Sequence, residues 1–311
     1  MAMSPLRPRR GRGLRLLSRE RELWLLSLPF FIWVAVFAYY PMYGLSISFL
    51  AYVPGKPIVG SAWVGLKFFI EFLTSPDFGY VMRNTLVISA LGIVIGFPAP
   101  IVLALLLNEL RGRSFKKTIQ TVSYLPHFIS WVVTASLIFT LLGNEGVVND
   151  ILLRARLVVK PINFLGTGRY FWWLITFANL WKGIGWSSII YLSAIAGIDP
   201  ELYQAGAVDG LNRFGMIRHI TLPGIRITMV LLLILEIGSI LSAGFEQQLL
   251  LGNPQTRLYY EVIDTYAYKY GVQMGRYPYG AAVGFMQSLV GLILVFSANW
   301  LSRKALDISI V

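Results

Sequence analysis

The chain of 311 residues has no cysteine, two histidines and 15 acidic side chains, and only 14% of its residues are charged. Without cysteine there is no disulfide, no thiolate nucleophile and no cysteine-based metal site. His127 and His219 are too far apart in sequence to suggest a ligand set, so a histidine metal centre is not expected. No G-x-x-x-x-G-K-[ST] phosphate loop occurs, which excludes nucleotide hydrolysis of the P-loop kind in this chain. The scarcity of charge also excludes an ordinary soluble domain, for which about 25% charged residues is typical.

What is abundant is apolar surface. Hydrophobic residues make up 56% of the sequence, and the mean hydropathy of +0.64 is spread along its whole length. Charge-free stretches occupy residues 23–55, 84–108, 118–144 and 277–302, each above the roughly 20 residues that cross a hydrocarbon core. Two further windows, 170–198 and 227–251, match them in length but carry Lys182 in one and Glu236 and Glu246 in the other. These predict an all-α integral membrane protein with six transmembrane helices near 24–48, 85–108, 122–142, 171–196, 227–250 and 280–302. The runs are continuous, whereas a membrane barrel would show strands of about ten alternating residues. Pro29, Pro41, Pro98, Pro100 and Pro126 fall inside them and read as kinks. Trp63, Leu66, Phe69, Ile70 and Leu73 recur at helical spacing and predict a short helix lying in the interface plane.

The net charge of +12 acquires meaning from its placement. With the N-terminus inside, sixteen Lys and Arg fall in inside segments and ten in outside ones, and seven of the sixteen are the arginines from Arg7 to Arg21. By the positive-inside rule both termini are expected to be cytoplasmic. The expected organisation is a cytoplasmic Arg-rich segment at 1–22 followed by a transmembrane domain at 23–311. A signal peptide is not expected, because the apolar stretch after the arginines is too long and no small-residue cleavage site closes it. Nucleic-acid binding is likewise not expected.

One inside segment, residues 197–225, stands out. Asp199-Pro200 is a strong helix start, a capping acceptor followed by a residue of fixed φ, and predicts a short helix over 200–209 that stops at Gly210. Ala205, Gly206 and Ala207 give it low relief, with Leu202 and Val208 as apolar contacts. A second turn is expected over 211–217, leading to Leu222-Pro223.

Gln204-Ala205-Gly206, three residues, Gly210, nine residues and Ile220-Thr221-Leu222-Pro223 resemble the E-A-A-x3-G-x9-I-x-L-P loop of permease subunits in binding-protein-dependent ABC importers. Gln204 replaces the usual Glu, and Gly206 the second Ala. The resemblance implies a type I importer permease fold, similar to the maltose permeases, and a coupling helix seated in a groove of a cytoplasmic ATPase. On that reading Glu201, Gln204, Ala205, Gly206, Asp209, Gly210, Ile220, Leu222 and Pro223 couple to the ATPase. Further matches, Gly65-Leu66-Lys67-Phe68-Phe69, Asn84-Thr85-Leu86, Tyr124-Leu125-Pro126-His127, Gly244-Phe245-Glu246-Gln247, Asn253-Pro254 and Asp264-Thr265-Tyr266, look like the carbohydrate-uptake branch. This implies a bacterial inner-membrane protein and a heterodimer with a second, similar permease. It further implies two ATPase subunits that hold the ATP and Mg, and an extracytoplasmic solute-binding protein; no cofactor is expected in this chain. The implied substrate is an oligosaccharide, with alginate and other uronate fragments first.

Charged residues inside spans normally face a cavity or a partner, since an exposed charge at the bilayer centre costs about 2.5–3.5 kcal/mol on insertion scales. Around Lys182 lie Asn179, Trp181, Trp186, Ser187 and Tyr191, aromatic faces and hydroxyls suited to sugars. Glu236, Ser239 and Gln248 form a second group. These nine are the candidate substrate-pathway residues; the alternative is that Lys182 and Trp181 snorkel or anchor at an interface and Glu236 supports interhelical contacts. Glu246 reads as structural or as a contact for the binding protein. Two rival functions remain at this point. A secondary carrier would need inverted repeats and mid-membrane carboxylates, and an integral membrane glycosyl or lipid transferase would turn over without nucleotide.

Overall fold

The computed structural model describes residues 21–306, so most of the Arg-rich segment lies outside the described residues. Among them the chain is helical apart from turns and one isolated bridge, Leu50 to Trp63. The elements used below are α1 (Leu23–Phe49), α2 (Lys67–Leu73), α3 (Phe78–Glu109), α4 (Arg113–Tyr124), α5 (Trp131–Leu142), α6 (Val147–Arg154) and α7 (Gly168–Ala196). They continue with α8 (Pro200–Val208), α9 (Arg213–Gly224), α10 (Arg226–Gly238), α11 (Glu246–Leu251), α12 (Arg257–Tyr260), α13 (Ile263–Tyr268) and α14 (Tyr277–Leu306).

Four of the described helices are long and apolar enough to cross a bilayer: α1, α3, the run Trp131–Arg154 that joins α5 to α6, and α14. The bent pair α9 and α10, meeting at 61°, would make a fifth. The expected fourth span is α7, whose 29 residues reach about 43 Å at 1.5 Å per residue. It is not among the four, and it carries Asn179, Lys182 and three serines.

Two expected spans are broken. Instead of a continuous helix over 122–142, α4 ends at Tyr124 and a 3₁₀ turn runs Leu125–Phe128. Then α5 restarts at Trp131, capped by Ser130, whose Oγ accepts from the Val133 N–H at 3.3 Å. Pro126 lacks the N–H that would continue the ladder. Instead of a helix over 227–250, α10 ends at Gly238 and α11 begins at Glu246, with Gly244 between them in the left-handed region at φ +90°.

The other prolines are absorbed differently. Wide π turns occur at Ala35–Tyr39, Gly92–Gly96 and Ile217–Thr221, each ending two residues before a proline: Pro41, Pro98 and Pro223. In each, the residue just before the proline donates to the carbonyl five residues back. The wider turn opens space for a ring that would clash with the carbonyl of a regular helical turn, so the helix continues past the proline with its backbone groups still bonded.

Packing is organised in three buried clusters. Phe72, Val81, Ile263, Tyr266 and Tyr279 join α2, the start of α3, α13 and α14. Ile88, Ala135, Phe171, Ile175 and Val262 join α3, α5 and α7. Ile101, Ala104, Tyr191, Ile195 and Ile225 join the end of α3 to α7 and the bend before α10. Helix α1 keeps its apolar surface outward over 23–43, and its last turns pack through Phe49 against Trp63, Phe69 and Phe285.

Candidate functional site

The loop over 197–225 folds as a compact unit. Asp199 accepts from the Glu201 N–H at 2.9 Å, with Pro200 at the first helical position, so α8 starts where the capping pattern places it. It ends at Val208, and Gly210 at φ +79° reverses the chain, with the Leu211 N–H bonded to the Gly206 carbonyl at 2.9 Å. Asn212 then caps α9 through the Gly215 N–H at 2.8 Å. The second helical segment runs on through the π turn to Gly224, further than the turn expected over 211–217.

Two contacts fasten α8 to α9. The Tyr203 hydroxyl pairs with Thr221 Oγ1 at 3.0 Å, and Gly206, buried, faces Ile220 and Leu211. A Cβ at 206 would stand 2.8 Å from Ile220 Cδ1 and 3.1 Å from Leu211 Cδ1, so glycine here permits the close approach. Glu201, Gln204, Ala205, Asp209 and Gly210 are exposed. Ile220 and Leu222 are half-buried, Leu222 against the cluster at the α3 end, and Pro223 is exposed. Apolar side chains also face outward: Leu202, Val208 (88% exposed) and Phe214 (71%). Such exposure on an ordered, capped element marks an interaction surface. Arg213 reaches Glu109 at the end of α3 at 3.8 Å.

A cavity of about 540 Å³ opens between α3, α7 and α10. Of the nine expected pathway residues it gathers Asn179, Ser187, Tyr191, Glu236 and Ser239 into one lining. Trp181, Lys182, Trp186 and Gln248 are not part of that lining. Trp181 is exposed, and Trp186 stacks on His127 with ring centroids 4.5 Å apart and planes within 2°. Gln248 is buried, donating to the Ala243 carbonyl at 3.3 Å.

Lys182 turns to the break after α4. Its Nζ donates to the carbonyls of His127 at 2.9 Å and Pro126 at 3.3 Å and to that of Ile129, and lies 5.7 Å from the Trp131 ring centroid. A cation at the carbonyl end of a broken helix supplies donors to His127 and Ile129, adds to the Ile129 N–H already on Pro126, and complements the helix dipole.

Sequence reading missed the glycines that shape the cavity. Gly92, Gly96 and Gly183 line it, and a Cβ at any of them would meet nothing within 4 Å. The spacing of Gly92 and Gly96 was a visible signal, one face of a helix inside an apolar run. Ser89 and Gln247 add polar groups to the wall.

At the other end of α3 a charged network holds α3 to the α12–α13 region. Buried Glu261 accepts from the Tyr80 hydroxyl at 2.5 Å, Lys269 Nζ at 2.8 Å and Arg257 Nε at 3.2 Å. Asp77 accepts from Tyr270 at 2.9 Å. Burial alone lowers the Arg257 pKa, but Glu261 and Tyr80 together hold the guanidinium above its ordinary value. Burial, then the hydrogen bond to Asp77, pushes Tyr270 up to about 12. Asn84 adds bonds to the carbonyls of Leu258 and Glu261 at 3.1 and 3.0 Å, and Arg83 lies over the rings of Trp172 and Tyr259. α3 begins at Phe78, ahead of the window expected at 85, and Arg83 in its second turn is partnered by the Leu258 carbonyl and the two rings.

Long apolar helices around a cavity dotted with polar groups, with a capped small-residue helix presented outside the bundle, define a membrane permease. Residues 96–307 match the family described as binding-protein-dependent transport system inner membrane component, and the chain belongs to it, as a carbohydrate ABC importer permease. Similar proteins include the polygalacturonan/rhamnogalacturonan transport system permease protein YteP of Bacillus subtilis (strain 168), 46% identical over 95% of this chain and 92% of the relative. Protein LplB of the same organism is 42% identical over 93% and 90%. Among solved structures, a bacterial ABC transporter involved in import of the acidic polysaccharide alginate superposes with TM-score 0.86 at 38% identity, over 95% of this chain and 100% of that one. A second structure of a bacterial alginate ABC transporter, in complex with an alginate pentasaccharide-bound periplasmic protein, gives 0.87 at 38%, over 96% and 100%. Family membership sets aside the secondary carrier and the membrane transferase: the chain is a non-catalytic component of the inner membrane.

Proposed function

We propose that this chain forms half of the translocation pathway for an acidic oligosaccharide, a uronate fragment, delivered by an extracytoplasmic solute-binding protein. A second, similar permease supplies the other half. Both termini and the loop over 197–225 face the cytoplasm, where α8 seats on one of two ATPase subunits that hold ATP and Mg. Six crossings follow when α7 and the bent pair α9–α10 are counted with the four longest apolar runs.

The observation that carries this reading is the mechanical continuity from loop to cavity. α8 is locked to α9 by Tyr203–Thr221 and the Gly206–Ile220 contact, and α9 leads through a 61° bend into α10, which bears Glu236 on the cavity wall. A push on α8 therefore reaches the wall through packed elements with no flexible linker between. Support for an acidic sugar comes from the alginate importers and from YteP, whose names specify acidic polysaccharides.

The test is uptake by proteoliposomes containing the full complex, its binding protein and internal ATP, with trigalacturonate and an alginate trisaccharide as probes. Val208→Asp, at the most exposed apolar position of α8, is expected to abolish substrate-stimulated ATP hydrolysis while the chain stays in the membrane. Uptake that persists in Val208→Asp, or without the ATPase subunits, would overturn the reading.

A further inference from the structure

The cavity wall has an unexpected charge. Among the residues that line it Glu236 is the one carboxylic or basic side chain; the rest are apolar, glycine or polar groups such as Ser89, Asn179, Ser187 and Gln247. Glu236 forms no ion pair among the described residues. The one lysine within α7 is not available to balance it, because the Lys182 ammonium is held by the carbonyls of Pro126, His127 and Ile129.

From this wall we infer that the chain reads the hydroxyl face of the sugar, with Glu236 as a specificity-determining residue that accepts from sugar hydroxyls and turns substrate carboxylates toward the opposite wall. The inference rests on the cavity being the pathway. A carboxylate accepts hydrogen bonds from a diol more strongly than a neutral acceptor does and repels a second carboxylate in the low dielectric of a membrane cavity. An acidic oligosaccharide therefore passes with its carboxylates away from α10.

The experiment compares trigalacturonate with its fully methyl-esterified form, equal in length and shape but uncharged, in proteoliposomes of the whole complex with saturating binding protein. Glu236→Gln keeps the side-chain size and removes the charge. Its ratio of acidic to ester uptake, relative to wild type, is expected to rise roughly tenfold, the order expected from one unit charge about 10 Å from a carboxylate at an effective dielectric near 20. Discrimination by the binding protein cancels in that relative ratio. If the ester is not carried at all, ionic strength gives the readout: wild-type trigalacturonate uptake rises with salt, and Glu236→Gln loses part of that rise. Gly183→Leu is the companion variant, because a side chain there enters open space and narrows the cavity. If Gly183→Leu blocks uptake while Glu236→Gln changes neither ratio nor salt response, the inference about Glu236 fails and the pathway stands. If Gly183→Leu transports both probes normally, the pathway reading itself fails. Release of the partner permease by Glu236→Gln would make Glu236 an interface ion-pair residue and would also overturn the proposal.

Discussion

Replacing Lys182 by methionine removes a cation from three backbone carbonyls while keeping an unbranched side chain of similar length. The Pro126, His127 and Ile129 oxygens belong to the interruption between α4 and α5, where Pro126 also accepts from the Ile129 N–H at 3.2 Å but no backbone N–H reaches His127 or Ile129. A hydrogen bond to a charged group contributes about 1.5–3 kcal/mol, and an acceptor left without a donor costs about 1–3 kcal/mol. Water entering from the adjacent cavity replaces some of this, leaving a net loss of about 3–5 kcal/mol for the site. For a chain of this size that corresponds to a fall of roughly 5–8 °C in thermal midpoint. The assay is fluorescence-detected size-exclusion of the detergent-solubilised complex after heating, with Lys182→Arg as the rescue, since guanidinium also donates to several carbonyls. Uptake of acidic and esterified sugar should fall together in Lys182→Met, in proportion to the folded fraction. A midpoint within about 1 °C of wild type, under 1 kcal/mol at this size, combined with a selective loss of acidic uptake, would refute the reasoning and make Lys182 a pathway cation.

Two further outcomes follow from the geometry. Gly206→Ala gains about 1 kcal/mol of helix propensity but sets a Cβ 2.8 Å from Ile220 Cδ1; the mobile end of that side chain yields. ATPase stimulation and stability should therefore stay near wild type, whereas Gly206→Leu should separate α8 from α9 and uncouple hydrolysis from substrate. Asp264 is raised above its ordinary 3.8 by burial, against the Gln287 amide and backbone N–H groups that lower it. A raised folded-state pKa means ionisation opposes folding, so stability is fullest below the unfolded pKa and declines as pH rises through the folded one. Asp264→Asn, which keeps the 2.9 Å acceptor for Gln287 Nε2, should raise the thermal midpoint at pH 7–8, with the gain vanishing toward pH 4.

The loop was legible because its information is local. Asp199-Pro200 and Gly210 act on the backbone within three residues of themselves, and each does in the structure what its chemistry prescribes; the Asn212 cap is equally local, and sequence reading missed it. The same locality limits composition-based span assignment. An uncharged window over 118–144 predicts burial in lipid, but whether the helix inside it continues depends on what can reach the carbonyls around Pro126. That donor, Lys182, lies 53 to 56 residues away.

By itself, then, the sequence determined an all-helical membrane chain, the long apolar runs, the capped loop with its left-handed glycine, and the short list of polar residues worth asking about. Tertiary structure decided which of those residues share a surface. Asn179 and Lys182 are one helical turn apart on α7, yet Asn179 lines the cavity and the Lys182 ammonium is held on the carbonyls of a broken helix. Helical periodicity fixes the angle at which a side chain leaves its own axis; what a long, flexible lysine reaches is set by the neighbouring helix, whose position no local rule contains. The same holds for Glu236, whose place as the one carboxyl group on the wall emerges only once the neighbouring helices are seen to gather it there and the lysine of α7 is seen to be held elsewhere.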